Sequence, residues 1–94
     1  MTGGIVRLEL RFYGRVQGVG FRYRAYHAAN ALGVTGRVEN QSDGSVLCEV
    51  QGERAAIDEM IGKIAAGSYI DITDIKSKAL PVNEAERSFE IRGW

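Results

Sequence analysis

Apolar and polar positions alternate from Ile5 to Tyr13. Val6, Leu8, Leu10 and Phe12 fall on one face and Arg7, Glu9 and Arg11 on the other, the period-two pattern of a half-buried strand. The period then changes. Phe21, Ala25, Ala28, Ala29 and Leu32 recur at helical spacing, and Gly33 follows as a stop. Val34 to Asn40 reads as a second strand. Gln41-Ser42-Asp43-Gly44 is turn chemistry, with Asp-Gly its strongest element. Ser45 to Gln51 alternates again and puts Val46, Cys48 and Val50 on one face. Ile57, Met60, Ile61 and Ile64 stripe a second helix that Gly67 ends. Ile70 to Leu80 predicts a strand of weaker pattern, Pro81 opens a polar connection, and Phe89 and Ile91 mark a short terminal strand.

This order, β-α-β-β-α-β plus a short last strand, predicts an α+β fold of the ferredoxin-like, split βαβ kind: an antiparallel sheet with two helices on one face. In that topology strands one and two are parallel and strand three lies between them. Both parallel strands then finish at the same end of the sheet. Asn40, at the end of strand two, is thereby expected near the segment that leaves strand one.

That segment is the most informative in the chain. Gly14-Arg-Val-Gln-Gly-Val-Gly-Phe-Arg22 joins a strand to a helix. Its glycines leave backbone N–H groups free to converge on an anion, and the helix start adds partial positive charge. Arg15 and Arg22 flank it, each a permanent cation with a planar fork of donors. A phosphate cradle needs these parts.

Length and composition narrow the rest. Ninety-four residues predict one domain over 1–94, with one core. Twelve basic and twelve acidic residues cancel, against a nucleic-acid binder that depends on a broad basic face. One cysteine excludes an internal disulfide and a thiolate metal cage, and one histidine removes most other metal sites. No apolar run reaches membrane-spanning length. Met1-Thr2-Gly3-Gly4 lacks the charged and apolar regions of a signal peptide, so a soluble cytoplasmic protein, free of nucleic acid and membrane, is expected.

Two motifs carry a resemblance. Gly14-Arg-Val-Gln-Gly-Val-Gly-Phe-Arg22 resembles the first signature of the acylphosphatase family, and Gly36-Arg-Val-Glu-Asn40-Gln-Ser-Asp-Gly44-Ser-Val46 resembles the second. Phe89-Glu-Ile91-Arg92 is similar to that family's closing strand. The first motif is neither a Walker loop nor a dinucleotide fingerprint. The resemblance implies a hydrolase, without metal or cofactor, that splits the carboxyl–phosphate anhydride of acyl phosphates. It implies that Arg22 is the catalytic arginine and also binds phosphate, and that Asn40 holds the attacking water. The amides of Arg15, Val16, Gln17, Gly18, Val19, Gly20 and Phe21 complete the cradle. The substrate is then a small acyl phosphate, and the protein is expected to act as a monomer. Arg37 departs from the pattern, since the position after Gly36 is commonly aromatic in the family; it offers positive potential near the site.

The remaining reactive types read as structure. His27 lies five residues after Arg22 and points about 140° away around the helix. Cys48 shares the face of Val46 and Val50, as a small core residue does. Tyr23 and Tyr26 flank the apolar stripe and suit packing or the rim of the site. Asp43 suits the turn, while Asp58 and Glu59 suit a solvated helix face and Glu53 its N-terminal dipole. Two other readings compete. An RNA-binding module of similar topology needs stacking aromatics on the central strands, and Ser45 to Gln51 has none. A non-catalytic anion-binding or carbamoyl-phosphate-handling module would keep the cradle without acyl-phosphate turnover. A related domain opens a larger hydrogenase-maturation carbamoyltransferase, but the chain ends at Trp94 without that protein's other regions.

Overall fold

The structure is a computed structural model and describes residues 4–93. Met1 to Gly3, on which the targeting expectation partly rests, and Trp94 lie outside the described residues. The elements run β1 (Ile5–Arg15), α1 (Phe21–Leu32), β2 (Thr35–Asn40), β3 (Val46–Glu53), α2 (Arg54–Ala65), β4 (Asp71–Leu80) and β5 (Phe89–Arg92). One five-stranded sheet has the order β4-β1-β3-β2-β5. β3 pairs antiparallel with both β1 and β2, and β4 pairs antiparallel with β1. The α+β ferredoxin-like arrangement is therefore the observed one, with β1 and β2 parallel and ending at one edge.

The terminal strand departs from the expected antiparallel sheet. β5 pairs with β2 in parallel, Val38 opposite Ile91 and Glu39 opposite Arg92. A strand of four residues carries too little pattern to reveal its partner or its direction. The consequence is functional: the chain runs past Arg92 at the same edge where β1 and β2 finish.

The core lies between the sheet and the helices. Leu8, Leu10 and Phe12 of β1, Val38 of β2, and Val46, Cys48 and Val50 of β3 meet Phe21, Ala25, Ala28 and Ala29 of α1 and Ile57, Met60 and Ile64 of α2. Phe12 and Phe21 pack edge to face with ring centroids 4.9 Å apart, worth about 0.5–1.5 kcal/mol beyond buried area. That contact pins the first residue of α1 against β1 and so fixes where the intervening loop must end.

The opposite face of the sheet is not simply solvated. Arg7, expected on a polar face, is only 8% exposed. It donates to Glu86 at 2.8 Å, to Glu49 at 3.0 Å and to Gln51 at 3.2 Å. The connection after Pro81 crosses this face and covers Arg7, with Asn83 bonded in both directions to Gln51 and Glu86 accepting from Thr35. Arg37 also faces this way, paired with Glu39 and with Glu49. Its guanidinium is held in these pairs, and Arg37 does not line the cavity described below.

Two more boundaries shift. β1 continues to Arg15 through a register irregularity between Tyr13 and Gly14. Gly14 permits it, since its φ is 120° and a Cβ there would lie 2.1 Å from the Asp71 carbonyl oxygen. Such a bulge bends a strand, and here it does so as the chain enters the glycine loop. β3 runs on to Glu53, which becomes the N-cap of α2 without a side-chain capping bond.

Candidate active site

Residues 16–20 connect β1 to α1 without regular structure. Three anchors hold this loop. Val16 is buried at one end and Phe21 at the other, 1% and 2% exposed. Between them Gln17 Nε2 donates to the carbonyls of Gln41 at 2.7 Å and Ser45 at 2.9 Å. Gly18 and Gly20 take left-handed φ values of 73° and 82°, which glycine adopts without steric cost.

Gly20 is the N-cap of α1 and, lacking a side chain, caps nothing. The first intrahelical bond runs from the Arg24 amide to the Gly20 carbonyl at 3.1 Å. The amides before it have no helical acceptor and stay available to an anion. The first turn contains no acidic residue but does contain Arg22 and Arg24. Cations at a helix N-terminus are electrostatically unfavourable, so the local rule for helix stability is broken where an anion would restore it.

A cavity of about 240 Å³ opens at this edge, lined by Val16, Gly18, Gly20, Phe21, Arg22, Tyr23, Asn40 and Ile91. It brings together Arg22 from α1, Asn40 from the end of β2 and the glycines of the loop. Arg15 is exposed, opposite Asp71 in β4, and does not line it. Gln17 and Val19 do not line it either. The Arg22 Nη1 donates to the Gly93 carbonyl at 2.6 Å. One N–H of the five on the guanidinium is thus taken, and its neighbours remain for a ligand.

The sequence model of one protein family, Acylphosphatase, matches residues 8–91. This chain belongs to the acylphosphatase family. The acylphosphatase of Clostridium acetobutylicum is 38% identical over 86 residues, covering 90% of this chain and 94% of that one. The acylphosphatase of Clostridium perfringens is 41% identical over 86 residues, covering 90% and 97%. The crystal structure of acylphosphatase from Bacillus subtilis superposes with a TM-score of 0.85 at 29% identity, covering 94% of this chain and 99% of that one. The protein is accordingly a hydrolase acting on acyl phosphates.

Of the remaining candidate side chains, Tyr23 borders the cavity and the others lie elsewhere. Tyr23 is 65% exposed and forms its rim, whereas Tyr26 is half-buried against the core. His27 is exposed, stacks on Tyr23 with centroids 6.5 Å apart, and lines a separate groove with Arg24 and Lys63. Cys48 is buried in the core, and burial pushes its thiol far above the usual range. Asp43 accepts from both the Ser45 hydroxyl at 2.6 Å and the Ser45 amide at 2.9 Å, which holds its carboxyl below the usual carboxylate value. Arg11 donates to the same hydroxyl at 3.3 Å. Among the described residues, no three His, Cys, Asp or Glu side chains gather as a metal site would require.

Sequence reasoning missed Ile91 and Gly93, since their approach depends on the parallel pairing of β5. It also missed the side chain of Gln17, whose partners lie 24 and 28 residues away.

Proposed function

We propose that Arg22 and the amides of residues 16–22 bind the phosphate of the acyl phosphate, and that Asn40 holds the attacking water. The observation that carries this reading is the shared cavity: Arg22, Asn40 and the two left-handed glycines line one space. Arg15, at the far side of the loop entrance, contributes its amide and its charge at longer range.

The chemistry asks little of acids and bases. Water attacks phosphorus, the bond from phosphorus to the bridging oxygen breaks, and its electron pair leaves on a carboxylate. A carboxylate departs without needing a proton. The water proton passes to a phosphate oxygen, so carboxylate and inorganic phosphate are the products. The work left to the protein is alignment of water with phosphorus and stabilisation of charge on the equatorial oxygens. Arg22 supplies a fork of charged donors, and the free amides at the start of α1 meet further oxygens. Asn40 offers an oxygen to accept from the water and an amide to donate. It orients without acting as a strong base.

This reaction requires no metal and no cofactor. We infer a small acyl phosphate as the only substrate partner, a monomer as the working form, and a cytoplasmic site of action without nucleic acid or membrane. Among the described residues, no helix is long and apolar enough to cross a membrane, and the exposed charges are mixed in sign. Titration of 15N-labelled protein with inorganic phosphate, with chelator present, tests the binding half. The amides of residues 16–22 and the Asn40 side chain are expected to move together. Shifts confined to Arg24, His27 and Lys63 would refute the assignment.

A further inference from the structure

β1 and β2 are not neighbours. β3 lies between them, so the loop that leaves β1 and the Asn40 that ends β2 stand about two strand spacings, roughly 9.5 Å, apart. No ladder bond joins the two strands directly, and within the sheet their relative position is transmitted through β3. Gln17 supplies a tie of its own across the end of that strand.

We propose that Gln17 is a positioning residue that sets the separation between the phosphate loop and Asn40. The proposal rests on the roles of Arg22 and Asn40 given above. The side-chain nitrogen of Gln17 has two protons, and each reaches a carbonyl of the β2–β3 turn, Gln41 at 2.7 Å and Ser45 at 2.9 Å. Two carbonyl acceptors require the NH2 group, not the oxygen, on that side. The turn closes on the same two carbonyls: the Gln41 amide donates to Ser45 at 2.9 Å and the Gly44 amide to Gln41 at 3.1 Å. Both carbonyls therefore have two donors, which fills their lone pairs. Gln41 is bonded covalently to Asn40, so slack in Gln41 passes to Asn40 through one peptide plane.

No other side chain among the described residues bonds the loop of residues 16–20 to the turn of residues 41–45. Val16 and Phe21 anchor the loop to the core beneath β1 and α1, and Arg11 reaches the turn from β1. Only glutamine combines the arm length with two protons on one nitrogen. Asparagine is one methylene shorter, methionine matches the length without donors, and ionised glutamate presents two oxygens to two carbonyls. Alignment of a nucleophile is sensitive to displacement on the order of 1 Å, which alone costs about a hundredfold in rate.

The test compares Gln17→Met and Gln17→Glu with wild type on a model acyl phosphate, benzoyl phosphate, and on inhibition by inorganic phosphate. Gln17→Met is expected to lower kcat by about 10- to 100-fold, with phosphate inhibition changed by less than about threefold because Arg22 and the loop amides remain. In the Gln17→Glu variant a proton taken up on acidification restores one donor. Its activity relative to wild type is expected to rise as pH falls, while that of Gln17→Met stays level. Equal losses in kcat and phosphate affinity would mean that Gln17 only keeps the loop folded, and would overturn the proposal. So would parallel pH profiles for the two variants, or a Gln17→Met kcat within twofold of wild type. An inactive wild type would instead remove the catalytic reading. The side-chain amide resonances of Asn40 then decide the positioning claim alone: they are expected to shift and broaden in Gln17→Met, and unchanged resonances refute it.

Discussion

The Arg22 guanidinium reaches across the edge of the sheet to the Gly93 carbonyl, 2.6 Å away. The first turn of α1 is thus joined to the residue that follows β5, and the arginine that lines the cavity is held from behind. Lysine at this position would keep the charge but lose the planar fork, whose fixed donors can meet Gly93 on one side and a phosphate on the other. Arg22→Lys is expected to reduce kcat/KM by about 100- to 1000-fold, the loss typical of one oriented donor at a charge-developing oxygen. The bond is exposed, and its net contribution to folding is about 1 kcal/mol. Thermal unfolding should therefore fall by only about 4–8 °C. A large drop in Tm with kcat/KM nearly intact would contradict this role.

The ion-pair cluster on the outer sheet face predicts how the fold responds to acid. Burial pushes the Glu49 carboxyl up, but the guanidinium groups of Arg37 and Arg7 outweigh it and hold it below its ordinary value of 4.5. A carboxyl depressed in the folded state contributes stability that is complete above its unfolded pKa and is lost as pH falls through the folded one. Glu49→Gln is expected to cost about 1–3 kcal/mol at neutral pH, since it removes the charge two cations share and leaves one acceptor oxygen in place of two. The Tm gap between variant and wild type should hold steady from about pH 7 to about pH 5 and shrink below about pH 4.5. Asp43, depressed by the Ser45 hydroxyl and amide, gives the same sign in both proteins and leaves the comparison intact. A gap independent of pH would remove Glu49 from the acid response.

Much of this architecture was legible in the residue order. Alternation from Val6 to Phe12 and from Val46 to Val50 marks the buried face of the two central strands, since a half-buried strand must repeat every second residue. The same parity places Asn40 on the face of Gly36 and Val38, and the topology carries it to the glycine loop. Arg7 was not legible in this way. Its position on the polar face is correct, yet its burial comes from Glu86, a residue 79 positions away. The pairing of β5, the Gly93 carbonyl and the carbonyls that Gln17 holds share that property. Each depends on where a distant segment lands, and local periodicity does not encode it.

The demotion of Cys48 can be checked by reagent. Its side chain is fully buried, and burial raises the thiol so far that the thiolate, the reactive form, is scarce. Folded protein is expected to resist an aromatic disulfide reagent over hours at pH 8, and to react at the rate of global opening when denaturant is added. Rapid labelling of the folded chain, with loss of activity, would restore the cysteine as a participant.

Steady-state hydrolysis of benzoyl phosphate tests the proposed division of labour between Arg22 and Asn40. Wild type, Arg22→Ala and Asn40→Ala are compared with chelator present, together with competitive inhibition by inorganic phosphate. Wild type is expected to turn over substrate at a rate that chelator does not reduce. Arg22→Ala is expected to lose both kcat and phosphate inhibition, whereas Asn40→Ala is expected to lose kcat by at least about a hundredfold and keep phosphate inhibition within about threefold. Equal losses of turnover and phosphate affinity in Asn40→Ala, or retained turnover in either variant, would overturn that division.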